Sequence, residues 1–155
     1  MHRFKYTTVA GAGSAPIHWS ETEHTLLAMQ GRPTWEGVII SPDAPLGQDG
    51  TGQTPRISLS WYPGHGYEVQ CFETPESRSD FLTSRQALSD PAVYVELGGQ
   101  GQELWPPELF VPYEAAERAL RFFLRTGRQD RELFWVRIDD FPRKKVKPLR
   151  SKATS

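Results

Sequence analysis

Cys71 is the only cysteine among the 155 residues, which excludes an intrachain disulfide and any zinc site built from several cysteines. No apolar stretch approaches the roughly 20 residues needed to span a bilayer. Met1 to Ala15 lacks the apolar core of a secretion signal, so a cytoplasmic location without membrane contact is expected. None of the four histidines (His2, His18, His24, His65) stands at a metal-ligand spacing from another histidine or a carboxylate, and neither metal nor cofactor is expected. Gly11-Ala12-Gly13 has no third glycine at phosphate-loop spacing and no Gly-Lys-Ser/Thr after it. The Gly-x-Ser-x-Gly elbow of hydrolases is missing, as are the His-x-Glu and Pro-Cys-x-x-Cys elements of zinc deaminases. No internal repeat is present.

What the chain does have is enough apolar material for one globular domain: 37% hydrophobic residues, with five Trp, five Tyr and eight Phe. Its net charge of −1 conceals an asymmetry. Residues 1–142 hold all 19 acidic residues but only 12 of the 18 Lys and Arg, an excess of seven negative charges. The other six cations (Arg143, Lys144, Lys145, Lys147, Arg150, Lys152) crowd the last thirteen residues. The expected organisation is a single domain over 1–142 and a basic, flexible tail over 143–155. A solubilising role is favoured for that tail over a specific nucleic-acid site.

Hydrophobic periodicity predicts an α+β fold, a mostly antiparallel sheet with two main helices packed on one face. Phe4 to Val9 reads as a first strand and Gly11 to Pro16 as a loop. Ser20 with Glu23 forms an S-x-x-E capping box for a short helix, with Leu26, Leu27 and Met29 facing inward and Gly31 and Pro33 ending it. Trp35 to Ile40 reads as a strand, and the Gly/Pro/Asp-rich stretch 41–55 as a loop. Arg56 to Tyr62 alternates, with Ile57, Leu59 and Trp61 on one side. It turns at Pro63-Gly64-His65-Gly66 into Tyr67 to Phe72, an antiparallel hairpin. Residues 74–91 give no assignable pattern. Ala92 to Leu97 and Gln102 to Trp105 flank a glycine-rich turn.

Tyr113 to Thr126 is the clearest helix. Ala115, Ala119, Phe122 and Phe123 form its apolar stripe, Glu114–Arg118 and Glu117–Arg121 stand at i,i+4, and Gly127 follows as terminator. Leu133 to Ile138 is a last strand, with Phe134, Val136 and Ile138 on one side.

Residues able to carry chemistry are few. Cys71 falls within a strand, in Val69-Gln70-Cys71-Phe72, with no basic neighbour to make a thiolate, so a small core residue is the simpler reading. His65 in its glycine-flanked turn reads as solvated, and His24 as a surface or boundary residue of the first helix. Glu73, Glu76 and Asp80 cluster in a polar stretch, where carboxylates are ordinarily solvated. No catalytic or metal-binding residue is assigned.

The last third has a pattern of its own. Phe110-Val111-Pro112, Ala115-Ala116, Ala119-Leu120, Phe123, Thr126-Gly127-Arg128 and Trp135 together resemble the C-terminal signature of immunity protein family one of bacterial polymorphic toxin systems. Pro106-Pro107 before the helix fits that pattern. Pro55-Arg56-Ile57-Ser58-Leu59 with Gly66-Tyr67 resembles the family's central hairpin. The resemblance covers about residues 35–138. It departs where a proline often follows Thr-Gly-Arg; here the residues are Arg128-Gln129-Asp130.

The resemblance implies a cognate inhibitor made in interbacterial competition, often against toxins of the nucleic-acid (cytosine) deaminase class. It implies a one-to-one complex with the toxin domain, and no enzyme activity, cofactor, membrane or specific nucleic acid. The acidic body suits a partner whose substrate groove is positive. The expected toxin-binding residues are the acids Asp43, Asp49, Glu68, Glu73, Glu76, Asp80, Glu96 and Glu103, with Tyr67, Tyr94 and Trp105 as aromatic anchors. Two alternatives stay open: a small enzyme using Cys71 or a carboxylate pair, and a nucleic-acid-associated protein using the basic tail.

Overall fold

The computed structural model describes residues 4–8, 14–34, 36–43, 54–74, 79–96 and 102–146. Ten strands and two α-helices follow in the order β1 (Phe4–Thr8), β2 (Ser14–Ile17), α1 (Thr22–Met29), β3 (Val38–Pro42), β4 (Arg56–Tyr62), β5 (Gly66–Phe72), β6 (Asp80–Thr83), β7 (Val93–Glu96), β8 (Gln102–Trp105), α2 (Tyr113–Thr126), β9 (Phe134–Arg137) and β10 (Lys144–Val146). Seven strands form one antiparallel sheet, β2-β1-β3-β4-β5-β6-β9, and three form a smaller one, β10-β8-β7. The fold is α+β, with both helices on one face of the large sheet.

Strand alternation decides what each face meets. Tyr6, Ile40, Ile57, Cys71, Asp80 and Arg137 are cross-strand partners in one row on the helix side. Its centre is buried with Leu59, Tyr67 and Val69 beneath Leu26 and Met29 of α1 and Ala116, Ala119, Leu120, Phe123 and Leu124 of α2. On the opposite face the neighbouring row runs Thr7, Ile39, Ser58, Gln70, Phe81, Val136. It turns from mainly polar to apolar where the small sheet packs on it. There Phe81, Trp105 and Phe141 meet edge to face at 5.3–5.4 Å, closed by Val93, Val95, Leu109 and Phe110. Each such side chain, fully buried, contributes roughly 1.5–3 kcal/mol.

The hairpin β4–β5 and helix α2 stand where periodicity put them, and Gly127 ends α2 in the left-handed conformation (φ 72°). Other expectations are corrected. The capping box lies two residues earlier than Ser20. His18 N–H donates to Glu21 Oε1 at 3.0 Å and His18 Nδ1 accepts from Ser20 N–H at 3.3 Å, opening a 3₁₀ turn at Trp19–Glu21 that leads into α1. Leu27 points out and is 48% exposed, because Leu26 and Met29, three apart, already fill the inward side. The α2 stripe is centred on Ala116, Leu120 and Phe123, leaving Ala115 and Phe122 at its margin.

Residues 14–16, expected in a loop, begin β2. β6 lies in the unassigned stretch 74–91. Val136 of β9 and Ile138 just beyond it face the second cluster, but Phe134 at the far end of the strand is 46% exposed. The chain does not loosen at Asp139: Phe141 is buried and β10 pairs with β8, so residues 143–146 belong to the fold. Trp35 lies outside the described residues.

One joint ties the layers. Val111, entering α2, forms a bridge to Tyr67 on β5: Tyr67 N–H donates to Val111 O at 2.9 Å and Val111 N–H to Tyr67 O at 2.8 Å. The approach is so close that a Cβ on Gly66 (φ 123°) would stand 2.5 Å from the Val111 carbonyl oxygen. The Tyr67 hydroxyl donates to Leu26 O at 2.6 Å, occupying a carbonyl in the last turn of α1, and accepts from Gln30 Nε2 at 3.2 Å.

Gly66→Ala is therefore expected to cost at least about 2 kcal/mol through positive φ and backbone clash. Tyr67→Phe is expected to cost about 1–2 kcal/mol for the abandoned carbonyl. Urea unfolding of the two variants measures both; a Gly66→Ala protein as stable as the parent would mean the joint is looser than its geometry.

Candidate functional site

The carboxylates of this acidic body divide into those engaged inside the fold and those left to solvent. Glu73 accepts from Arg131 at 2.6 Å and Asp80 from Gln129 Nε2 at 2.7 Å. Asp130 accepts from Arg118 Nε at 2.8 Å, and Glu132 pairs with the same guanidinium. The loop after α2, Arg128 to Leu133, is thus laced to the ends of β5 and β6 and back to its own helix. Gln129 and Asp130 are buried in the process. Arg118 has left its i,i+4 partner Glu114 for these acids, whereas Glu117–Arg121 closes at 2.8 Å.

Glu103 is buried and accepts from Trp105 Nε1 at 2.8 Å. Glu108, also buried, takes hydrogen bonds from Ser89 N–H, Ser89 Oγ and Arg85. Burial alone would raise its carboxyl, but these donors outweigh it and hold it below the usual range.

The expected binding residues are scattered accordingly. Tyr67 and Trp105 are core side chains, at 0% and 5% exposure, and cannot reach a partner; Glu103 is buried beside Trp105. Glu73 and Asp80 are structural tethers. Glu68 lies across from Ser60 on the sheet face away from the helices, and burial lifts its carboxyl to about 7. Asp43 is exposed just after β3, and Glu96 closes β7 opposite Gln102. Asp49 and Glu76 lie outside the described residues. Tyr94 alone among the three aromatics is open, at 59% exposure. It shares the outward row of the small sheet with Leu104 and Lys144.

What the sequence reading passed over is the outer surface of the helical layer. Glu23 and Leu27, four apart on α1, are both exposed. Along α2 runs a groove of about 720 Å³ lined by Glu114, Glu117, Arg118, Arg121, Phe122 and Arg125 among others. Between the helices, the Tyr113 phenol is raised by burial and then by the Glu117 and Glu23 carboxylates, so acids of both helices act on one spot. At the far end the Arg125 guanidinium lies 5.3 Å over the Trp19 ring. A sequence signal was available: residues 6–31 contain no Lys or Arg.

Cys71 is 1% exposed, and burial, with Glu73 and Asp80 adding to it, pushes its thiol up to about 12; it is protonated at neutral pH. Among the described residues no group of three His, Cys, Asp or Glu is placed to hold a metal ion, and no helix is long and apolar enough to cross a membrane. No family model, curated protein or solved structure matches the chain.

Two measurements follow. The raised Glu68 carboxyl means the folded state holds a proton that the unfolded state releases between pH 4.5 and about 7, so stability falls as pH rises through that window. The loss is at most about 3 kcal/mol. Denaturation at pH 5 and pH 8 is expected to show this fall, and Glu68→Gln to remove most of it; an undiminished fall in the variant would assign it to other groups. Cys71 is expected to resist a thiol reagent at pH 8 in native protein and to react on unfolding. Rapid labelling of the native chain would contradict its burial.

Proposed function

We propose that this chain is an immunity protein that binds a bacterial polymorphic toxin domain of the nucleic-acid (cytosine) deaminase class one-to-one and neutralises it in the cytoplasm by occluding its substrate cleft. The observation that carries the reading is the meeting of the stretches on which the resemblance rests. Gly66-Tyr67 and Phe110-Val111-Pro112 lie far apart in sequence, yet join through two backbone hydrogen bonds at a contact that tolerates only glycine. Ala116, Ala119, Leu120 and Phe123 are the buried stripe of the helix that follows, Gly127 is its left-handed terminator, and Trp135 packs against the same core. The motif residues are mutually dependent parts of one scaffold, as family-defining positions of a binding protein would be.

The mode of action needs no catalytic group. A deaminase that acts on nucleic acid needs a positive groove, and a body that still carries four excess negative charges once Arg143, Lys144 and Lys145 are counted within it is steered to such a groove and excludes the substrate from it. A protonated Cys71 withdraws the thiolate on which an enzymatic reading would draw.

Co-purification with the toxin domain encoded beside this chain, followed by a deamination assay with and without the protein, tests the proposal. A stable one-to-one complex with toxin activity abolished is the expected result. Absence of a complex, with no protection of cells expressing the toxin, would overturn it.

A further inference from the structure

Exposed apolar side chains taken singly carry no message, but four large ones stand out among the described residues, and their surroundings differ. Tyr94 shares its row with Lys144, and Phe134 lies on a strand ending in exposed Arg137. Leu27 lies on α1 one turn from the exposed Glu23, in a stretch without Lys or Arg. Trp19, at the far end of the same layer, is stacked with Arg125.

The acids differ in the same way. Glu73, Glu108, Glu117, Asp130 and Glu132 are engaged with arginines of the fold, whereas Glu23 and the exposed Glu114 form no ion pair among the described residues. Charge that is not neutralised internally acts at a distance, and it does so here through Glu23 one turn from the open Leu27 side chain and through Glu114 in the lining of the α2 groove.

We propose that the outward surface of the helical layer, centred on Leu27 with Glu23 and Glu114, is the face that docks on the basic, nucleic-acid-binding surface of the toxin; this rests on the immunity reading above. Leu27 supplies an apolar contact at the centre, and Glu23 and Glu114 meet the cations that would otherwise hold phosphates. The groove along α2, whose Arg118 and Arg121 are neutralised by Asp130, Glu132 and Glu117 and whose Arg125 lies over Trp19, accepts a protruding side chain of the partner. The sheet surface around Tyr94, next to Lys144, carries charge of the wrong sign for that occupant.

Association with the purified toxin domain is measured by stopped flow at low and high salt for the parent chain, E23K/E114K, Leu27→Asp and Phe134→Asp, with thermal melting of each. The expected result is association slowed about tenfold or more in E23K/E114K, with a flatter salt dependence. Affinity should fall at least about tenfold in Leu27→Asp and stay unchanged in Phe134→Asp, with melting temperatures lowered by no more than a few degrees, since Glu23 and Glu114 each stand in the first turn of a helix. Hydrogen exchange on the unmodified complex gives a reading free of mutation, in which protection on binding is expected at residues 19–30 and 113–118. A complex that forms and neutralises the toxin while these segments stay unprotected and the helical variants bind as the parent does would overturn the docking face and leave the immunity reading standing. Failure of the parent chain to bind the toxin would remove both.

Discussion

The double hydrogen bond between Tyr67 and Val111 is the constraint on which both layers depend. It fixes where the chain enters α2, and therefore which residues of that helix face the sheet. The same Tyr67 reaches past the bridge with its hydroxyl to a carbonyl of α1, so one residue positions the ends of two helices over one strand. Its ring lies against Trp61 at 4.8 Å and Tyr113 at 6.4 Å, so the polar contacts sit in an apolar surround that keeps water from competing for them. Gly66 is what permits the approach.

Polar pairing does for the far end of the molecule what this bridge does for its centre. The turn after α2 is short and buried at Gln129 and Asp130, and its side chains are held by Glu73 just after β5, by Asp80 of β6 and by Arg118 of α2. Burying a charge is costly unless it is paired and hydrogen-bonded, and here each partner comes from a different element. The pairing therefore fixes the position of β9 relative to β6 as much as it stabilises either. A body rich in acid is consequently less negative on the outside than its composition implies, and the remaining free carboxylates matter more.

Elements with strong local signals were legible. The β4–β5 hairpin and α2 were bounded to within a residue because alternation, turn glycines and the helix terminator agree there. β6 was not legible: four residues, Asp80 to Thr83, are too short to show a period, and their strand state comes from pairing with β9 more than fifty residues later. β10 was read as tail because Lys144 and Lys145 look like solvated charge; exposed lysines are also what edge strands carry. Tyr67 and Trp105 were taken for surface anchors because a tyrosine beside a turn and a tryptophan beside prolines carry no sign of which face they occupy. Burial of Gln129 and Asp130 follows from partners that only the fold brings near.

The small sheet has a consequence for how the molecule is made. Its middle strand, β8, pairs with β7 nearby and with β10, some forty residues further on. In a chain emerging from the ribosome, the β7–β8 hairpin and the Phe81 and Trp105 rings are complete long before Phe141 and β10 arrive to cover them. Synthesis thus passes through an interval in which an aromatic surface and an unpaired strand edge are both open, the combination through which nascent chains associate with one another. The last strand acts as the closing clasp, and pausing or truncation ahead of it would expose a sticky intermediate.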